Sequence, residues 1–186
     1  LSLWLAEHQM NTEFFKEFGR TNPTLPLKEA GKIVHGNACR LDWKDVCPKG
    51  KDDEVYILGN PPFLGGRMQG VEQKKDLKIA YAEYGKAPKV DYISAWFMLG
   101  SKYINDSEAK FAFVTTNSIC QGEQVSMIWP HILNNDQEIF FAHNGFKWEN
   151  NAKDKAAVVV SIIGVRNATT ENKYLFKSSF KSSVQN

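Results

Sequence analysis

The spacing of hydrophobic positions changes several times along the chain and divides it into alternating helices and strands. Leu1, Leu3, Trp4, Leu5, Met10, Phe14, Phe15 and Phe18 recur at roughly helical spacing. That predicts a helix over residues 1–18, stopped by Gly19 and broken in two at Asn11-Thr12. A Pro-rich connection follows over 20–31, then a short strand, Lys32-Ile33-Val34-His35-Gly36. Residues 44–53 are polar, with Pro and Gly, and read as a loop. Residues 54–58 form a strand, 71–84 a charged helix and 85–89 a loop. Residues 91–103 are apolar nearly all round, the pattern of a helix buried against a sheet. A buried strand over 110–115, a helix over 122–133 broken near Trp129-Pro130, and a strand over 137–142 come next. Residues 156–165, Ala-Ala-Val-Val-Val-Ser-Ile-Ile-Gly-Val, carry the strongest strand signal, before a Ser-, Lys- and Asn-rich tail from Asn167.

Alternation of this kind predicts an α/β sheet with its ligands at the carboxyl ends of the strands. The last two strands have no helix between them, which predicts an antiparallel pair at a sheet edge. Asn37, Asn60 and Thr116-Asn117 all follow strands and so fall at such ends.

Composition narrows the class. With 186 residues, 42% hydrophobic and 24% charged, the chain suits one globular domain with a real core. No apolar run approaches the ~20 residues of a membrane span and no signal peptide is visible, so no membrane partner is expected. Cys39, Cys47 and Cys120 are odd in number and lack a C-x-x-C spacing, which fits a reducing cytoplasm and argues against a disulfide framework. His35, Cys39 and Cys47 lack a fourth ligand at metal-site spacing and read as packing residues, so no metal is expected. A net charge of +2 permits a nucleic-acid partner without pointing to one.

The chemistry concentrates where the strand Val55-Tyr56-Ile57-Leu58 runs through Gly59 into Asn60-Pro61-Pro62-Phe63. Neither proline has an N–H, so the chain cannot continue there as helix or ladder. The result is a rigid elbow presenting an amide side chain, a free carbonyl and an aromatic ring. Such a trio grips a planar group bearing an exocyclic amine: two oxygens accept its protons and the ring stacks on its face. Phe63 has a second reading as a core residue, Asn37 as a helix cap, and Thr116-Asn117 as a simple turn. Asp91 reads as the N-cap of the apolar helix rather than as a functional acid. Gly65-Gly66-Arg67 reads as a mobile loop beside the elbow.

Asn60-Pro61-Pro62-Phe63 resembles motif IV of the amino-group DNA methyltransferases, in the form typical of enzymes acting on the N6 amine of adenine. Val34-His35-Gly36-Asn37-Ala38 resembles motif III, and residues 91–103 resemble motif V. Residues 111–118 resemble motif VI, and Phe141-Ala142-His143-Asn144-Gly145-Phe146-Lys147-Trp148 resembles motif VIII. The opening Leu3-Trp4-Leu5-Ala6-Glu7-His8-Gln9-Met10, with Phe146-Lys147-Trp148 and Ala152-Lys153, is similar to the MmeI-like restriction–modification enzymes. The resemblance covers residues 1 to about 166 and implies a class I S-adenosylmethionine-dependent methyltransferase sheet, Rossmann-like and incomplete at its N-terminal side. Residues 1–166 are then a partial catalytic domain, and 167–186 a linker or the start of a target-recognition region.

The resemblance implies methylation of the N6 amine of adenine in DNA by a bacterial, cytoplasmic restriction–modification protein. Asn60, Pro61, Pro62 and Phe63 are the implied catalytic residues, and Phe63 and Phe146 stack a flipped adenine of double-stranded DNA, with Trp148 a rival for Phe146. Asn37, Ala38 and Asn60 are implied contacts to S-adenosylmethionine. The Gly-rich cofactor loop of the family is expected upstream of Leu1, so these residues alone are expected to bind cofactor weakly and to be inactive. The same elbow also occurs in methyltransferases for RNA guanine N2 and for protein glutamine. A non-catalytic DNA- or protein-binding scaffold is the remaining alternative. Lys153, Lys155 and Arg166 read as a solvated face rather than phosphate contacts.

Overall fold

A computed structural model describes residues 2–19, 32–85, 87–148 and 158–177. The chain divides into two compact units, residues 1–35 and 36–186. In the first, helix α1 (Ser2–Phe18) runs unbroken through Asn11-Thr12. Thr12 donates its hydroxyl to the His8 carbonyl at 2.8 Å, so the polar pair is absorbed within the helical ladder instead of interrupting it. Residues 32–35 form no strand, against expectation, and Ile33 is 85% exposed. β-propensity records packing against neighbours, and no described strand pairs with this segment.

The second unit holds one sheet. Its elements are α2 (Trp43–Val46), β1 (Tyr56–Gly59), α3 (Val71–Ala80), α4 (Ser94–Ile104) and β2 (Lys110–Thr116). These are followed by α5 (Glu123–Leu133), β3 (Gln137–Trp148), β4 (Val158–Asn167) and β5 (Tyr174–Phe176). The strand order is β1-β2-β4-β3-β5. β1 and β2 are parallel, as are β3 and β5, while β4 runs antiparallel to both its neighbours. The expected antiparallel pair forms, but β4 inserts between β2 and β3 and so lies inside the sheet. Buried Val160, Ile163 and Val165 suit that interior place. β3 reaches Trp148, well past residue 142, because register shifts at Ile139/Phe141 and His143/Phe146 let it bend and stay paired. β5 is a three-residue strand within the polar tail.

Helix α4 supplies the core. Phe97 packs edge-on against Phe111, Phe113 and Trp129, with ring centroids 5.7, 5.4 and 5.6 Å away. Burying each large apolar side chain contributes roughly 1.5–3 kcal/mol. Gly100 permits the close approach to β2, since a Cβ there would sit 3.0 Å from the Phe111 ring. Helix α5 is continuous, not broken at Pro130. The proline removes one N–H late in the helix, while buried Ile128, Trp129 and Ile132 hold that turn, and Trp129 Nε1 donates to the Ile119 carbonyl at 2.7 Å.

The registers decide which residues share an edge. Gly59 pairs with Phe113 on parallel strands, Thr116 lies opposite Val160, and Val160 lies opposite Phe146. The carboxyl ends of β1, β2 and β3 therefore emerge on one side of the sheet.

Candidate functional site

The elbow forms where β1 stops at Gly59. Pro61 is buried, Pro62 is exposed, and Phe63 is half-buried against the core. Asn60 is exposed, and its side chain has no hydrogen-bond partner among the described residues. Two rigid prolines thus present an uncommitted amide at the sheet edge.

The residue after Phe63 is pinned on both sides. The Leu64 N–H donates to Asp91 Oδ1 at 3.1 Å. The Leu64 carbonyl accepts from the Tyr92 N–H and from Gln69 Nε2, each at 2.9 Å, and Gln69 Nε2 also donates to the Val90 carbonyl at 2.8 Å. Gly66 passes so close to the neighbouring backbone that a Cβ would meet the Val90 carbonyl at 3.2 Å. The Gly65-Gly66-Arg67 loop, expected to be mobile, is thus seated against residues 89–90.

Asp91 is 4% exposed and is not the N-cap expected from the sequence: α4 is capped at Ile93, and the Asp91 carboxylate is spent on other ties. Oδ1 accepts from the Ile93 N–H at 3.2 Å as well as from Leu64. Oδ2 accepts from Thr116 Oγ1 at 3.2 Å and from Ser118 Oγ at 3.3 Å. Its own N–H donates to Gln124 Oε1 at 2.8 Å. Sequence reasoning missed this hub because its partners lie 25 to 27 residues away on either side.

The turn bearing Asn37 and Ala38 is committed internally. Asn37 Oδ1 accepts from the Cys39 N–H at 2.9 Å within a turn, not as the helix cap read in the sequence, since Asp42 caps α2; Nδ2 donates to Asp76 Oδ2 at 3.0 Å. The Ala38 carbonyl accepts from Trp43 Nε1 at 2.9 Å. Asp76 also accepts from Arg40 Nε and the Tyr92 hydroxyl, both at 2.6 Å. Burial pushes the Asp76 carboxyl up, but the hydrogen bonds from Tyr92, Arg40 and Asn37 together outweigh it and hold it below its ordinary value. Tyr92 adjoins Asp91, so the Asn37 turn connects through Asp76 to the segment that holds the elbow.

Phe146 is half-buried on β3, edge-on to His143 at 5.0 Å between centroids. A Cβ on neighbouring Gly145 would lie 3.7 Å from Asn117 Oδ1, so the bulged strand runs close to the turn after β2. The sheet thus gathers Asn60, Phe63, Thr116-Asn117 and Phe146 on one edge. Ala152, Lys153 and Lys155 lie outside the described residues. Arg166 is buried and paired with Glu138 at 2.8 Å, not part of a solvated face.

Neither relevant cysteine is an activated nucleophile. Burial pushes the Cys39 thiol up to about 12, with Asp76 adding to it, and burial raises Cys120 too. Among the described residues no cluster of three His, Cys, Asp or Glu is placed to hold a metal ion, and no helix is long and apolar enough to cross a membrane.

Comparison with known proteins shows the family and the fold. The chain is 48% identical over 188 aligned residues to DNA methyltransferase A of Bacillus subtilis (strain 168), covering 100% of this chain and 21% of that protein. It therefore spans about a fifth of the curated relative it matches. It also superimposes on the type IIL restriction–modification enzyme MmeI, solved in complex with DNA. That match has a TM-score of 0.78 and 39% identity, over 95% of this chain and 24% of that one. The expected α/β, class I methyltransferase sheet is what the chain folds into. The family model for the MmeI DNA-methyltransferase domain matches residues 1–177, and the chain belongs to that family.

Proposed function

We propose that the chain carries the catalytic elbow of an S-adenosylmethionine-dependent DNA methyltransferase, in a bacterial cytoplasmic restriction–modification protein, that modifies the N6 amine of adenine. The observation that carries this reading is the exposed, unpartnered Asn60 amide on a proline-rigidified strand end, with Phe63 beside it and Phe146 on the same sheet edge.

An exocyclic adenine amine is a poor nucleophile because its lone pair is delocalised into the ring. Asn60 Oδ1 and the Asn60 carbonyl accept hydrogen bonds from its two N–H groups, which draws the nitrogen toward tetrahedral geometry and frees the lone pair. Pro61 and Pro62 fix the Asn60 carbonyl and restrict the backbone that carries Oδ1, which limits the reorganisation that the reaction requires. The target adenine leaves the double helix to reach the elbow, and stacking on Phe63 and Phe146 holds it, at roughly 1–3 kcal/mol per base. S-adenosylmethionine supplies an electrophilic methyl group when bound. Asn37 and Ala38 would meet it through the outer face of their turn, since the Asn37 amide is committed to Asp76 and Cys39 and the Ala38 carbonyl to Trp43.

The test is Asn60→Ala in the full-length protein, measuring methyl transfer and DNA affinity side by side. Transfer should vanish while DNA affinity stays within about threefold, as for a group whose contacts matter mainly in the transition state. Surviving transfer would remove Asn60 from the mechanism.

A further inference from the structure

We propose that Asp91 is a positioning residue for the methyl-transfer step, holding the Asn60–Phe63 elbow in register with the loop after β2. The proposal rests on the elbow reading above. A carboxylate offers about four lone-pair positions, and here four neutral groups from three segments gather around them, the two hydroxyls being also hydrogen-bonded to each other at 2.5 Å. These are the Leu64 N–H directly after the elbow, the Ile93 N–H at the start of α4, and the hydroxyls of Thr116 and Ser118 beyond β2. No Lys or Arg among the described residues pairs with Asp91, so its role here is geometric and not that of an ion-pair partner.

A helix cap needs one acceptor facing its own first turn. The second oxygen of Asp91 faces across to the next strand end instead. The backbone completes the brace: the Leu64 carbonyl takes the Tyr92 N–H, and the Asp91 N–H reaches Gln124 on α5. The elbow therefore hangs between its own strand and a fixed point shared with β2, and Asp91 hydrogen-bonds to both. Because Asp91 meets the chain at half-buried Leu64, directly after the elbow, it acts on the reacting amine only through where it holds Asn60 and Phe63.

The test compares Asp91→Ala and Asp91→Asn in the full-length protein, with Asn60→Ala run alongside. A displacement of about 1 Å at a reacting centre costs on the order of 100-fold. Asp91→Ala should lower kcat by about that factor, with the KM for S-adenosylmethionine and the affinity for DNA within about threefold of the parent. A merely structural role would lower the active fraction instead and leave kcat per active site unchanged. Asp91→Asn keeps one acceptor for the two N–H groups and offers an amide to the two hydroxyls, so it should recover kcat to within about tenfold of the parent.

If Asp91→Ala does not fold, the Thr116→Val, Ser118→Ala double variant cuts only the tie to the β2 loop and should still lower kcat about tenfold at unchanged KM. Unchanged kcat in the variant that folds, with Asn60→Ala inactive, overturns the role of Asp91 and leaves the elbow reading standing. Asp91→Asn as impaired as Asp91→Ala also overturns it, because charge rather than position would then be at work. Full transfer by Asn60→Ala brings down the elbow reading and this inference with it.

Discussion

Tyr92→Phe removes one oxygen from the link between the Asn37 turn and the segment that holds the elbow. The Tyr92 hydroxyl donates to Asp76 Oδ2 at 2.6 Å, and the Asp76 side chain is only 2% exposed, so water cannot replace the lost donor. Two other donors remain, Arg40 Nε at 2.6 Å and Asn37 Nδ2 at 3.0 Å, so the carboxylate is weakened rather than orphaned. A hydrogen bond to a charged group contributes roughly 1.5–3 kcal/mol, which places the loss near 2 kcal/mol, or about 30-fold in the folded-to-unfolded ratio. The deficit also has a pH signature. The native Asp76 carboxyl sits below its ordinary value, so its contribution is present above that value and is lost as pH falls through the native one. Removing the Tyr92 donor raises the native value, and the gap between variant and parent should therefore narrow in acid. Urea unfolding of the two proteins, at neutral pH and in steps below pH 4, reads both effects. A deficit under about 0.5 kcal/mol at neutral pH, or one that stays constant into acid, would refute the reasoning.

Two further outcomes follow from packing and charge. Gly164→Ala would drive a Cβ into the Phe141 ring and within 2.9 Å of Phe140, where β4 lies inside the sheet, and should cost about 1–3 kcal/mol by thermal unfolding; a neutral result would mean the rings yield freely. The hydrogen bond from Lys173, aided by Arg166 and the Thr169 N–H against an opposing burial effect, lowers Glu138 from 4.5 to about 2. Its contribution is therefore whole above about 4.5 and lost as pH falls from there to about 2, so Glu138→Gln should flatten the acid limb of the stability curve across that window.

What the sequence disclosed was local, and what it concealed was long-range. Asn60-Pro61-Pro62-Phe63 was legible because two prolines leave the chain few conformations. The 91–103 helix and the 156–165 strand were legible because their apolar runs admit few other environments. Ile33-Val34 looked like a strand on residue type, but a strand exists only through its neighbour. Pro130 looked like a break, but three buried side chains around it hold the turn. The place of β4 between β2 and β3 depends on pairings across the sheet that no local period encodes. The same holds for Asp91, whose position before an apolar helix signals a cap and conceals the ties to Leu64, Thr116 and Ser118. For Asn37 the resemblance to a family motif implied a cofactor contact, and the ties of its amide to Asp76 and Cys39 are again ones that the motif does not display.

The most direct test of the central claim is methyl transfer from labelled S-adenosylmethionine to unmethylated double-stranded DNA by the full-length protein, followed by digestion and identification of the labelled nucleoside. The account predicts N6-methyladenine, lost in Asn60→Ala. Label in N4-methylcytosine would contradict the assigned base, and no labelled nucleoside from folded, cofactor-bound protein would contradict the assigned reaction.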